Sequence, residues 1–571
     1  MINVDSIFNE HFPDAFKNKK LISRPVQGFL KTLFHESEFQ QFEKDYPNLQ
    51  GFDFIEQVLN YFDFSYSVRS QDIYRIPATG RVIIIANHPI GSLDGLALLK
   101  LIGEVRRDVK AIANELLMAI EPLHPLLLPV DNMGNKTRRD NIKAIDEHLN
   151  NEGAVIIFPA GEVSRMSPKG IQDGPWNSGF LKFANKTSSP ILPIHINARN
   201  SFLFYSLSLL AKPLSTLLLV REMFLQASNN VHMRIGTTIP PESWQQLGTS
   251  TQAQTKLFKK HLYRAGKNKS PILKISPDTI AHPEHRQLIR QEIRQCEQLG
   301  ETPDGKKIVL YRSKPDSTIM REIGRLREIA FRKVGEGSGK RRDIDHYDNV
   351  YDHVILWDDD DLEIAGAYRM AQTDNNDNTL YSDTLFQYSD DFQAIRGQGL
   401  ELGRSFVQPR YWGMRSLDYL WHGIAAYIKR YPHIRYLFGP VSISAAYPST
   451  ARDLIILFYQ QHYASKKTYA TANIPHRIAE DNQQLYQELF PGNDSKEDFT
   501  ILKQTLTEMG YSVPTLYKQY TELCEPGGAQ FSAFNVDPDF NYCIDGLVIV
   551  DIDKLKPSKR KRYLGDWQRA V

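Results

Sequence analysis

Residues Arg81–Gly95 read RVIIIANHPIGSLDG, and the fold of the first half of the chain is decided there. Arg81 to Ala86 is a β-branched apolar run of strand length. Asn87-His88-Pro89 ends it, because Pro89 and Gly91 interrupt any regular element, and a helix from about Asp94 to Gly103 follows. The same unit recurs outward from this stretch. Strands are predicted at Val109–Ala113, Leu126–Val130, Ala154–Phe158 and Pro190–Ile196, with a helix at Arg139–Asn150. Strands alternating with helices predict an α/β layer architecture.

The chain has 571 residues, several times the size of one domain, so at least two hydrophobic cores are expected. Hydrophobic residues at 41% and charged residues at 24% exclude a disordered or collagen-like chain. The formal net charge is only +2, so no nucleic-acid partner is expected and any anionic ligand is met locally. Cys296, Cys524 and Cys543 are odd in number and widely spaced. That pattern fits neither a disulfide framework nor a zinc site and points to a reducing compartment. The opening MINVDSIFNEHF lacks a basic stretch followed by an apolar core, so no secretory signal is expected and the protein is placed in the cytoplasm. Ser201–Leu225 is the most apolar stretch, but Lys212-Pro213 breaks it and Arg221-Glu222 closes it, leaving arms too short to span a bilayer. The two arms either pack as core helices or lie in a lipid interface.

Four segments are expected: a helical region at 1–60, a first α/β domain at 61–270, a polar linker at 271–305, and a second α/β domain at 306–571. In the second, strands are predicted at Lys307–Tyr311, His353–Trp357, Glu363–Met370 and Gly546–Ile552. Helices are predicted at Ser317–Phe331 and Ser416–Arg430, with a glycine-rich basic loop at Gly335–Arg342. Asp358–Asp361 lies between two strands and reads as a hairpin turn, so no metal is expected. Lys554–Arg562 (KLKPSKRKR) reads as a contact for anionic lipid or an acidic carrier protein, or as a solvated tail.

The chemistry concentrates in two places. In the first, a loop through Pro89 and Gly91 brings His88 and Asp94 together, so that Asp94 orients the imidazole while its other nitrogen removes a proton from a hydroxyl. The plainer reading has His88 capping a turn and Asp94 capping the next helix. Phe158-Pro159-Ala160-Gly161-Glu162-Val163-Ser164-Arg165 again follows an apolar strand, with a glycine for close approach and Ser164 and Arg165 for a polar or anionic group. Together these segments resemble the glycerolipid acyltransferase family, whose ordered blocks are NHxxxxD, a basic block, FPEGTxS and a proline-rich block. Pro129–Arg139 stands at the second block and Pro190–Ile194 at the fourth. The resemblance covers roughly residues 60–240. It implies His88 and Asp94 as catalytic, with Asn87, Arg138, Arg139, Phe158, Gly161, Glu162, Ser164 and Arg165 around the substrate. Lys136, Arg138 and Arg139 either bind an acceptor carboxylate or carrier surface, or simply begin a solvated helix. Five residues rather than four separate His88 from Asp94, so the extra one must bulge, and Ala160 replaces the family glutamate.

In the second half, LREIAFRKVG from Leu326, DIDHYDNVYDH from Asp343, AGAYRM ending at Met370, ELGRSF from Glu401 and FNVDPDFN from Phe534 resemble, in that order, ornithine N-acyltransferase domains. Those are related to acyl-homoserine-lactone synthases and to the wider N-acetyltransferase-like fold. The resemblance implies that Arg327, Asp345, Asp348, Asp352, Arg369, Glu401 and Arg404 line or brace the donor and amine site, with Glu401 as base. Gln408–Arg415 has a single glycine, Gly413, which favours a carrier-protein thioester over coenzyme A. Together the halves resemble the bifunctional ornithine-lipid synthases of bacteria. That implies a 3-hydroxyacyl group moved from acyl carrier protein to ornithine by the second domain, then O-acylation of lyso-ornithine lipid by the first, at the inner face of the cell membrane. The only cofactor implied is the phosphopantetheine thioester carried by the donor. A lysophospholipid acyltransferase with an accessory second domain, or a glycine, serine or lysine acceptor, are the alternatives.

Overall fold

A computed structural model describes residues 36–569 except 114, 119, 130–134, 168–169, 211–217, 268, 274–277, 374–378, 479–482, 484–485, 487 and 493. The chain divides into two units, Met1–His282 and Pro283–Val571. In the first, the strands are Ser65–Val68 (β1), Val82–Ala86 (β2), Val109–Ala113 (β3), Leu127–Pro129 (β4), Ala154–Ile157 (β5), an outlying hairpin of Arg165–Ser167 (β6) and Gly170–Gln172 (β7), Ile191–Asn197 (β8) and Asn230–Ile235 (β9). The seven-stranded sheet has the order β1-β9-β8-β2-β5-β3-β4. All pairings in it are parallel except β8 with β9.

The helices of this unit are Glu36–Asp45 (α1), Gly51–Tyr61 (α2), Ser92–Val105 (α3), Asn135–Asn150 (α4), Gly179–Thr187 (α5), Phe202–Leu210 (α6), Leu219–Leu225 (α7) and Thr251–Ala265 (α8), besides shorter turns. β2 is central and wholly buried, and its alternate residues face different layers. Val82 and Ile84 pack with Ile55 and Leu59 of α2 and Leu98 and Ile102 of α3. Ile83 and Ile85 pack with Ile145 of α4, Phe180 of α5 and Phe258 of α8. Each such isoleucine contributes about 1.5–3 kcal/mol by burial, so the end of β2 is an anchored platform for the residues that follow it.

In the second unit, Glu297–Glu301 (β10), Lys307–Arg312 (β11), Asp352–Asp358 (β12), Glu363–Gln372 (β13), Gly399–Val407 (β15), Tyr436–Ile443 (β16), Ala529–Asp537 (β18) and Cys543–Asp551 (β19) form an eight-stranded sheet, while Phe386–Tyr388 (β14) and Ala470–Ala472 (β17) pair separately. Neighbours in the large sheet are antiparallel except β15 with β16. Its helices include Arg286–Ile293 (α9), Thr318–Lys333 (α10), Ser416–Arg430 (α11), Ser449–Tyr463 (α12), Ser495–Glu508 (α13), Thr515–Leu523 (α14) and Pro557–Tyr563 (α15). α11 packs Leu420 and Ile424 on one sheet face, against Val354 and Leu356. α9 and α10 pack Ile289, Ile319 and Ile323 on the other, against Ile355 and Trp357.

Two segment boundaries differ from expectation. Much of 271–305 is not a linker, because α9 and the edge strand β10 belong to the second unit. β10 exposes most of EQLGE, so it lacks the alternation that marks a strand. Residues 36–60 do not stand apart, since α2 shares the core of β2, while the rest of the expected helical region, 1–35, lies outside the described residues. The described residues of 201–225 are part buried and part exposed. Phe204 and Tyr205 are buried with Val163, while Phe202, Leu203 and Leu225 are exposed. No helix among the described residues is long and apolar enough to cross a membrane.

Candidate active sites

In the first unit, β2 is followed by Asn87, whose Nδ2 donates to the Ile196 carbonyl at 2.9 Å and whose Oδ1 accepts the Ile196 N–H at 2.7 Å. Both ends of the Asn87 amide, expected from sequence beside the substrate, are thus spent on the Ile196 backbone. It clamps the exit of β2 to β8. His88 follows, with Nδ1 2.9 Å from Oδ1 of Asp94. The imidazole side chain is 21% exposed and the carboxylate 0%, so the ring can be reached while its partner is sealed. The other Asp94 oxygen accepts the N–H groups of Ile90 and Gly91, at 2.9 and 3.3 Å. Asp94 thus fills both readings, capping α3 and pairing with His88. Gly91 has φ 106°, a region open to glycine alone at low cost, and the turn it makes absorbs the extra residue.

The second motif packs directly on this pair. The Phe158 ring lies 4.3 Å from the His88 ring, centroid to centroid. Gly161 turns the chain at φ 65°, and Glu162 Oε2 accepts from Arg165 Nε at 3.3 Å. Ser164 is buried: its N–H donates to the His88 carbonyl at 2.7 Å and its hydroxyl to Oδ1 of Asp173 at 2.6 Å. Ser164 is therefore a brace where a substrate contact was expected. Asp173, which sequence reasoning missed, also accepts the His88 N–H at 3.2 Å and Trp176 Nε1 at 2.9 Å. One carboxylate ties the His88 and Ser164 segments together. Burial alone pulls the His88 pKa down, but the charge and contact of Asp94 and the charge of Asp173 outweigh it and raise it above the usual histidine value. Lys136, Arg138 and Arg139 begin α4, and their side chains lie outside the described residues.

In the second unit, three arginines and three acids interlock. Arg327 Nη2 meets Asp348 Oδ1 at 2.7 Å, Arg369 Nη1 meets Asp345 and Asp348 at 2.6 and 3.2 Å, and Arg404 Nε meets Asp343 at 3.3 Å. Arg404 has φ 46° at a bulge where β15 carries one residue more than β13 between Gly403 and Phe406. The Arg369 guanidinium sits 5.1–5.8 Å from the rings of Tyr347, Tyr351 and Tyr381, and its Nε and Nη2 have no hydrogen-bond partner among the described residues. Those buried donors suit an anionic group.

Glu401 is 1% exposed. Oε2 accepts the Tyr351 hydroxyl and Oε1 the Ser382 N–H at 2.9 Å, while the Tyr351 oxygen accepts the Tyr381 N–H at 2.8 Å. Burial raises the Glu401 pKa, and the hydrogen bonds of Ser382 and Tyr351 and the charge of Arg369 only partly offset it. β15 and β16 pair only over Gly399–Glu401 and Tyr436–Phe438, although both strands run on, so Glu401 stands at the last rung. At Gly439 any Cβ would lie 2.1 Å from the Leu402 carbonyl oxygen, which fixes glycine there.

Asp352 stands elsewhere. It pairs with Arg312 at 3.2 Å and accepts the Tyr427 hydroxyl at 2.8 Å, because strand alternation turns it to the opposite sheet face from its neighbour. That neighbour, His353, is the buried imidazole beside Asp348, and burial lowers its pKa to about 4. A second missed group lies in the field of Arg404: Glu336, Asp537 and Asp545. Tyr381 donates to Asp537 at 3.3 Å, and Ser442 donates to Asp545 at 2.7 Å. Burial and the charge of Asp545 push Glu336 up to about 8, against the opposing field of Arg404. Burial also pushes Asp545 up to about 7, against the Ser442 hydrogen bond and with the help of Asp537. At Asp358–Asp361 the chain makes the expected hairpin turn, its acids held by Arg290, Lys306, Lys307 and Arg410.

A family described as "Acyltransferase" matches residues 18–269, and one described as "Acetyltransferase (GNAT) domain" matches residues 326–422. A glycine N(alpha)-acyltransferase of Bacteroides thetaiotaomicron is 31% identical over 307 residues, 50% of this chain and 90% of its own length. A lyso-glycine lipid O-acyltransferase of Phocaeicola vulgatus is 31% identical over 268 residues, 45% of this chain and 94% of its own. An L-ornithine N(alpha)-acyltransferase of Brucella abortus is 28% identical over 297 residues, 46% of this chain and 97% of its own.

Proposed function

We propose, from the premise that this chain belongs to the acyltransferase families of both sets of relatives, that it builds a two-tailed amino-acid lipid at two sites. The second unit transfers a 3-hydroxyacyl group from acyl carrier protein to the α-amine of ornithine. The amine attacks the thioester carbon, a C–N bond forms, the C–S bond breaks, and Glu401 takes the amine proton for return to the leaving thiolate. The first unit then esterifies the new 3-hydroxyl. His88 removes its proton, the oxygen attacks a second acyl thioester, Asp94 stabilises the imidazolium, and the proton passes to the departing thiolate. The donor supplies the phosphopantetheine; the chain needs no resident cofactor for either step.

The observation that carries the O-acyl step is the 2.9 Å pairing of a reachable His88 with a sealed Asp94. The exposed Phe202, Leu203 and Leu225 support peripheral attachment at the inner face of the cell membrane, where the single-tailed intermediate resides. Expression in a bacterium that makes no amino-acid lipids is expected to give a new phosphorus-free, amine-positive lipid in extracts. Its absence, with the chain present in the cells, refutes the reading.

Glycine is the second reading for the acceptor, favoured by the 31% identity to a glycine enzyme. Charge favours ornithine. Glu336, Asp537 and Asp545 share the field of Arg404 and have no salt bridge of their own among the described residues, so a distal ammonium is welcome there. Asp545→Asn is expected to lower kcat/KM for ornithine by about tenfold or more and to leave glycine nearly unaffected, that being the usual weight of a buried charge contact. Because burial pushes Asp545 up to about 7 and Glu336 up to about 8, the ornithine KM should fall as pH rises from 6.5 to 8.5. Parallel losses for the two amino acids would remove these acids as the reason to prefer ornithine.

A further inference from the structure

The strand that carries Glu401 runs on to Val407, six residues or roughly 20 Å beyond the reaction centre, which is the scale of a phosphopantetheine arm. At its far end the chain turns through Pro409–Tyr411 and enters α11 at Ser416. Two apolar side chains stand out of that turn, Trp412 at 46% and Met414 at 63% exposure. Arg410 is neutralised there by Asp361 and Glu363. Arg415 is not, because it shares the single carboxylate of Asp418 with Arg562 and with the Tyr563 hydroxyl, which donates at 2.8 Å. Asp418 thereby fastens α15, and with it the run Lys559–Arg562, beside the turn. Lys559 and Lys561 have no ion-pair partner among the described residues, so this corner of the unit is strongly basic around two apolar knobs.

We propose that the face formed by Trp412, Met414, Arg415 and the basic helix Lys559–Arg562 docks an acidic carrier protein, which feeds its acyl arm along β15 to Glu401. This rests on the N-acyl transfer proposed above. Complementary charge steers the encounter and the exposed side chains fill the centre of the contact. A membrane-inserting role fits less well, since two apolar side chains give little buried area and the larger exposed apolar surface belongs to the other unit.

The test compares the full chain with its Lys559→Glu/Lys561→Glu variant, using 3-hydroxyacyl carrier protein and the same acyl group on free pantetheine as alternative donors. The variant's KM for the carrier-bound donor should rise roughly tenfold and lose much of its salt dependence, while the pantetheine thioester is used as before. Normal pantetheine kinetics also certify that the variant is folded. Unchanged carrier kinetics overturn the docking face, and so does loss of sedimentation with phosphatidylglycerol vesicles in the absence of any carrier effect. If the unaltered chain transfers the acyl group from neither donor, the N-acyl reading itself has failed.

Discussion

Lipid extracts of cells expressing His88→Ala are expected to contain the single-tailed N-acyl amino acid and to lack its two-tailed product. The loss should be on the order of 100- to 10,000-fold in O-acyl transfer, the range that a positioned general base supplies. The substitution removes a half-buried ring held by Asp94 and packed on Phe158, and leaves Asn87, Ser164 and Asp173 to maintain the backbone around it. N-acylation should continue at the unaltered rate, which is the internal evidence that the chain is folded. The pH profile adds a sign. The raised pKa keeps His88 protonated to higher pH, so O-acyl transfer should fall as pH drops through a value above 6.5, the base being lost on its acidic side. Asp94→Asn removes the main upward influence while burial still acts downward, so the acidic limb should move to lower pH as the maximum rate declines. A two-tailed lipid made normally by His88→Ala would take the base away from this residue.

The first site was legible because its parts are local. An apolar β-branched run, a Pro/Gly turn and an acid at the start of the next helix lie within fifteen residues, and Gly91 lets the longer loop close. Asn87 and Ser164 show the converse. Nothing in sequence says that an amide or hydroxyl is already spent on Ile196 or Asp173 across the fold. Asp173 follows the hairpin β6–β7 and carries no periodic signal, so its role appears only when that hairpin folds back. In the second unit, the motif order located Arg327, Asp348, Arg369, Glu401 and Arg404, but not the faces. Asp352 and His353 are adjacent in sequence and opposite in space, and β15 hid as a strand because its bulge breaks alternation at Arg404. The acids around Arg404 come from three segments, near residues 336, 537 and 545, which only tertiary packing assembles.

Glu401→Ala is expected to remove both lipids, since the hydroxyl used by the first unit arrives on the acyl chain that the second unit attaches. The effect is larger than for a simple base. Glu401 holds the Tyr351 hydroxyl and the Ser382 N–H, so its loss also releases the segment that presents Tyr381 to Arg369 and Arg404. Glu401→Gln separates these roles. The amide keeps an acceptor for Tyr351 but cannot take the amine proton, so N-acyl transfer should still fall by on the order of 100-fold or more. In the unaltered chain that rate should drop on acidification through a pKa raised above the usual glutamate value, because protonation removes the base. The glutamine variant should lose this limb. Supplying synthetic lyso lipid to either variant should restore the two-tailed product through His88, which places the defect in N-acylation and not in folding of the first unit. A variant that still N-acylates at the original rate would move the base to another group, and Tyr351, already bonded to Glu401 and to the Tyr381 N–H, would be the next residue to change.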